Sequence, residues 1–241
     1  MDTLPPFHRA ALLLDMDGTL IDLAPTPDAV VVPPGLPAAL RTLRDGLGGA
    51  LAIVTGRPIE TVDRLFGDAL GAVAGEHGGA IRHAPEEPIE RPDLPSPPQS
   101  WFEAADTLAR AFPGALLERK ARGFGLHYRQ APEAKETFQA ALTALLDSAP
   151  GFQLHQAHML WEVRPAGADK GGAVVALMQR PPFAGRVPIF IGDDVTDEDG
   201  MREARKLGGA GYRVDAVFRD PDGVRSWLQR SAERGDWANL P

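Results

Sequence analysis

Apolar positions follow two rhythms along the chain, and the rhythms assign elements. AALLLD (10–15) and ALAIVTG (50–56) are short continuous apolar runs bounded by polar and turn residues, the pattern of strands buried on both faces. Between them, LPAALRTLRDGL (36–47) sets Leu36, Leu40, Leu43 and Leu47 at helical spacing. PIETVDRLFG predicts a helix opening on Pro58, and GAVAGEHGG a short strand running into a glycine-rich turn. Strand alternating with amphipathic helix is the order of a parallel α/β sheet.

The rhythm then changes. Residues 85–98, PEEPIERPDLPSPP, carry six prolines among acids and predict a linker or surface crossover. A helix is predicted over 99–112, two strands across LLERKARGFGLHYRQ with a bend near Gly123 and Gly125, a helix over PEAKETFQAALTALLD and a hairpin over GFQLHQAHMLWEVRP. Helix, hairpin, helix, hairpin describes a small α+β domain, with Trp101, Phe102, Phe112 and Phe138 in its core. Alternation puts Trp161 inside, Glu162 outside toward a cleft, and Tyr128 opposite Arg129. From Asp169 the first rhythm returns: helix DKGGAVVALMQR, strand RVPIFIGDD, helix TDEDGMREARKL, strand VDAVF and helix GVRSWLQRSAER. The predicted architecture is a discontinuous α/β core of residues 1–84 and 166–241 with a cap, 85–165, between them.

Composition narrows the chemistry. The 241 residues contain no cysteine, which excludes disulfides, thiolate catalysis and Cys-ligated zinc or iron–sulfur sites. Lys and Arg number 25 against 33 acids, a net charge of −8 that argues against nucleic acid as partner. The opening MDTLPPFHRAALLLDMDG lacks the pattern of a signal peptide, and no apolar run approaches the ~20 residues of a membrane span. A cytoplasmic protein with neither a membrane association nor an obligate protein partner is expected. His155 and His158 are expected on a strand and its turn, not as a zinc pair.

Four segments concentrate candidate chemistry, three of them at the carboxyl ends of predicted core strands, where open α/β sheets place ligands. Asp15-Met16-Asp17-Gly18-Thr19 follows the first strand; extended backbone would bring both carboxylates to one side, and Gly18 permits a tight turn with backbone donors for an anion. Thr55-Gly56-Arg57 follows the second, with Arg57 equally consistent with the site or with a helix-start surface. Lys170-Gly171-Gly172 opens a helix, and Gly192-Asp193-Asp194-Val195-Thr196-Asp197 follows a third strand. Asp169 and Thr196 also suit ordinary helix caps. Acids gathered from separate strand ends repel one another without a cation, and an all-oxygen donor set suits Mg²⁺. Thr55 and Lys170 add donors for phosphate oxygens. The set reads as magnesium-assisted phosphoryl transfer. No GxGxxG after a strand, Walker A or GxSxG motif supports another chemistry.

DMDGTL, VTGR, the lysine of DKGG and GDDVTDED resemble, in order, the four signature motifs of the haloacid dehalogenase-like (HAD) phosphohydrolases. GEHGG, LERKARGFGLHYR and MLWEVRPAGADKG extend the likeness over nearly the whole chain to the trehalose-6-phosphate phosphatase family. The resemblance implies a Rossmann-like parallel-sheet core with an inserted α+β cap of the type IIB kind. It implies hydrolysis of a small-molecule sugar phosphate, trehalose 6-phosphate, through an aspartyl-phosphate. Asp15 would be nucleophile and Asp17 general acid and then base. Asp193, Asp15 and the carbonyl of Asp17 would hold Mg²⁺, while Gly18, Thr55, Gly56 and Lys170 bind phosphate beside Asp15. Asp194 and Asp197 would be supporting acids, Asp197 placing Lys170 or a metal-bound water. His77 and Gly78, with Gly75, match a loop beside the pocket, and Glu118, Lys120, Arg129 and Glu162 match sugar-recognising cap positions. Met201 departs from the family pattern, where an aromatic is common. Another capped sugar phosphatase, for sucrose phosphate or mannosylglycerate phosphate, is the nearest alternative; a non-catalytic regulatory domain is a more distant one.

Overall fold

The first apolar run forms β1 (Ala10–Leu14), every residue of it fully buried, in a computed structural model that describes residues 4–120, 122–147 and 149–241. β2 (Leu51–Val54) and β9 (Val187–Gly192) flank it in parallel, so that Leu12 pairs with Leu51 on one side and Ile189 on the other. β3 (Ala72–Gly75) continues the sheet beyond β2, and β10 (Ala210–Arg213) beyond β9; β4 (Ala80–Arg82) closes it as an antiparallel edge. Alternation along β1 sorts the two core layers. Leu12 and Leu14 pack among residues of α1 (Leu36–Gly46), α2 (Ile59–Phe66) and α7 (Pro221–Arg234), whereas Ala11 and Leu13 face α5 (Lys170–Met178) and α6 (Asp197–Lys206). Each fully buried leucine contributes about 1.5–3 kcal/mol of transfer free energy, which fixes the strand whose end carries Asp15.

The chain forms two compact units. One runs up to Arg91 and resumes at Asp169; the other is Pro92–Ala168. The first boundary lies beyond residue 84 because Ile81 and Glu90 exchange backbone hydrogen bonds of 2.8 and 2.7 Å, and Arg180 pairs with Glu87 and Glu90. The second unit contains α3 (Gln99–Arg110), β5 (Leu116–Lys120), β6 (Gly123–His127), α4 (Lys135–Leu146), β7 (Phe152–Ala157) and β8 (Leu160–Pro165). Its sheet is antiparallel in the order β5-β6-β8-β7. Phe124, Leu126, Trp161 and Val163 point to one face and meet Phe138 and Leu142 of α4 in a core of their own. No helix among the described residues is long and apolar enough to cross a membrane.

VDAVF is not a strand, contrary to expectation; residues 214–218 form a π-type helical turn, and the strand is the preceding AGYR. A Cβ at Gly211 would stand 2.5 Å from that of Met201, so this strand needs a glycine to let α6 lie against it. The antiparallel β4, AIR, is too short for its apolar pattern to mark it as a strand. Thr196, at the start of α6, makes no capping bond, whereas the Asp169 side chain accepts the Gly172 N–H at 2.7 Å as a helix cap.

Candidate active site

β1 and β9 end side by side, which brings Asp15 and the 193–197 loop to one place. The Lys170 ammonium, at the first residue of α5, donates to Asp15 Oδ1 and to Asp197 Oδ1, both at 2.6 Å. Asp197, fully buried, uses its other oxygen to accept the backbone N–H groups of Asp193 and Asp194 at 3.1 and 3.0 Å. It thus fixes both the lysine and the loop. Thr19 donates to Asp193 Oδ1 at 3.2 Å. Gly18, at φ +81°, lies so near that a Cβ there would overlap the Asp193 carboxylate. Carboxylate oxygens of Asp15, Asp193 and Asp197 lie within 4.8 Å of one another.

Three acids around one ammonium leave this site short of positive charge. Burial, followed by repulsion from Asp197, pushes the Asp15 carboxyl well above its ordinary range despite Lys170. The same two causes push Asp193 up to about 6. Burial alone would lower Lys170, but Asp15 and Asp197 outweigh it and raise it further, keeping it charged. The donor set is all oxygen, the chemistry of a hard divalent cation.

The other expected residues separate into groups. Asp17 does not join the acid cluster: Arg57 clamps it with two bonds of 2.7 Å, Nε to Oδ2 and Nη2 to Oδ1. Asp194 turns to its own loop, accepting the Val195 N–H at 2.6 Å. The N–H of Gly18 is spent on the Ile21 carbonyl at 2.8 Å, so this glycine supplies space and not an anion donor. Buried Thr55 accepts the Arg57 N–H at 3.2 Å, and its carbonyl accepts the His77 N–H at 2.9 Å. Glu76 and His77 both adopt positive φ, setting the His77 ring against Gly56, while Gly78 closes on the start of α5. The motif loops of the core therefore interlock.

In the second unit, Lys120 pairs with Glu162, and the His127 Nε2 meets Glu118 Oε2 at 2.9 Å. Glu162 is on the face opposite Trp161, as alternation requires, but it is only 2 % exposed, contrary to expectation. Its ion pair with Lys120 makes that burial tolerable. Burial works to raise Glu118, yet Lys120 and His127 outweigh it and hold it below its ordinary value. Arg129, two residues beyond β6, is half-buried and outside this cluster. His155 lies in β7, where its Nδ1 meets Arg164 at 3.1 Å.

Residues 13–226 match the family model described as trehalose-phosphatase. The chain belongs to this family. It is 44 % identical over 231 residues to a probable trehalose-phosphate phosphatase of Sinorhizobium fredii, covering 95 % of this chain and 87 % of that protein. It is 36 % identical to the trehalose-6-phosphate phosphatase of Escherichia coli, covering 92 % and 86 %. The C-terminal domain of the Candida albicans trehalose-6-phosphate phosphatase shares the fold, with a TM-score of 0.78 at 21 % identity over 94 % and 93 % of the two chains. Family members are phosphomonoester hydrolases, and this HAD-type protein is an enzyme of that class.

Sequence reasoning left Arg57 open between the site and a helix-start surface, and gave Arg213 no role. Arg57 is the partner of Asp17. Arg213, at the end of β10, donates to the Asp193 carbonyl at 2.8 Å while pairing with Glu198 and Asp215. A lone arginine at the end of a strand, as Arg213 is, carries no signal of its own; only the fold shows what it reaches.

Proposed function

We propose that the enzyme hydrolyses trehalose 6-phosphate to trehalose and inorganic phosphate through an aspartyl-phosphate on Asp15. The observation that carries this reading is the Asp15 carboxylate at the end of β1, held by Lys170 beside Asp193, in a chain with close trehalose-phosphate phosphatase relatives. Asp15, Asp193 and the main-chain carbonyl of Asp17 are the groups to hold Mg²⁺. When bound, it supplies the positive charge that two anions need in order to meet. An oxygen of Asp15 attacks phosphorus as the bond to the sugar oxygen breaks, and Asp17 in its acid form gives that oxygen a proton. Water then attacks the aspartyl-phosphate; Asp17, now a carboxylate, takes its proton, and Asp15 is regenerated. The Arg57 clamp suits the carboxylate form of Asp17 and so the second half of the cycle. Thr55 and Lys170 orient the phosphoryl oxygens, with Asp197 positioning Lys170.

Residues 92–168 serve, in this reading, as the domain that selects the sugar, through Glu118, Lys120, Arg129 and Glu162. Phosphate groups are common to all sugar phosphates, so selection has to come from donors and acceptors that meet hydroxyls. The test is phosphate release from trehalose 6-phosphate, sucrose 6-phosphate and p-nitrophenyl phosphate, with Mg²⁺ and after EDTA. Trehalose 6-phosphate should be the best substrate, EDTA should abolish release and Mg²⁺ should restore it. Full activity in metal-free enzyme, or a preference for another sugar phosphate, contradicts the proposal.

A further inference from the structure

Gly125, in the middle of β6, stands directly between Glu118 on β5 and Glu162 on β8. A residue without a side chain at that point leaves room on the polar face of the sheet for its neighbours' side chains to close in. A Cβ added there would meet Leu160 Cδ1 at 2.7 Å and Glu118 Oε2 at 3.6 Å, so the Glu118 carboxylate lies beside the glycine. Both carboxylates flanking Gly125 are held. Lys120 holds Glu162, and His127, two positions along β6 from Gly125 and on the same face, holds Glu118.

Among the described residues, the bond to His127 is the one hydrogen bond Glu118 makes, and it uses Oε2. Oε1 remains to accept from a ligand. Glu118 keeps 23 % of its side-chain surface and His127 19 %, so packing alone does not fix the glutamate; a directional bond is needed. An imidazole bearing a proton on Nε2 donates that bond.

We infer that His127 is a positioning residue for sugar recognition, fixing the Glu118 carboxylate beside Gly125 with Oε1 turned to a sugar hydroxyl. The inference rests on the reading of Glu118 as a sugar contact. Its test is the ratio of kcat/KM for trehalose 6-phosphate to that for p-nitrophenyl phosphate, in wild type, His127→Ala, His127→Gln, Glu118→Ala and the Ala/Ala double variant. His127→Ala should lower the ratio roughly 3- to 10-fold, mainly through KM, and Gln, which retains a donor, should recover most of the loss. In the Glu118→Ala background, the His127 substitution should change the ratio less than about twofold, because nothing remains to position. An equal loss on both esters, or an undiminished loss in the Glu118→Ala background, overturns the inference. If His127→Ala fails to fold, His127→Asn and His127→Gln give the comparison, the shorter amide being expected to lose what the longer one keeps. If the wild type prefers another sugar phosphate, the reading of the substrate fails on its own, and the same cycle with the preferred ester still decides the role of His127.

Discussion

In the core, three carboxylates gather within 4.8 Å of one another and two of them share the ammonium of Lys170; in the cap, Glu118 and Glu162 each have a partner of their own in His127 and Lys120. The electrostatic consequences are opposite. Burial and mutual repulsion push Asp15 and Asp193 upward, whereas Lys120 and His127 hold Glu118 down. A site with surplus buried negative charge is poised to take up a cation. A cluster in which each carboxylate has its own hydrogen-bond partner offers directional hydrogen bonds. On the function proposed above, the difference would separate two tasks, chemistry on a phosphate group and discrimination among the sugars that bear it.

The largest effect should come from the core. Asp15→Asn removes the proposed nucleophile while preserving shape, and turnover of every phosphate ester should fall to background. Retained turnover on any ester would remove Asp15 from the mechanism. Asp17→Asn should cost about 10²–10⁴-fold on a sugar phosphate. Its cost in kcat/KM on p-nitrophenyl phosphate should be far smaller, since that leaving group departs without a proton. Equal losses on the two esters would assign Asp17 to structure or metal binding instead of proton transfer.

A smaller effect sharpens the contrast through stability. Folded Asp193 keeps its proton to about 6, against 3.8 for an ordinary carboxyl. A raised carboxyl stabilises the fold fully below the unfolded value, and this stabilisation is lost as pH rises through the folded one. Metal-free protein should therefore lose Tm between pH 4 and pH 7 through this group, and Asp193→Asn should reduce that loss by about 2–4 °C. Thermal melts in EDTA check this; an identical loss in the variant contradicts the charge-crowding account.

The strand-end motifs of the core were legible because Asp15, Thr55 and Asp193 each follow an uninterrupted apolar run, and a buried strand has to end where polar residues begin. What escaped depended on partners distant in sequence. β10 was missed because Gly211, which lowers strand propensity, is required by its contact with Met201, while the better-looking VDAVF winds into a helical turn. The Arg57–Asp17 clamp joins residues 40 apart. For Glu162, alternation gave the face of the sheet correctly but could not tell whether that face meets water. Gly18 suits a donor by its sequence setting; the close approach of Asp193 and the use of its N–H by Ile21 are properties of the folded loop.

The division of labour between the two clusters is tested most directly by Glu118→Ala and Glu162→Ala, with kcat/KM measured on trehalose 6-phosphate and p-nitrophenyl phosphate in folded protein. If the cap selects and the core reacts, the ratio of the two values should fall roughly 10-fold or more in each variant. A ratio equal to that of the wild type in both variants, whether turnover is kept or lost on both esters alike, would contradict it.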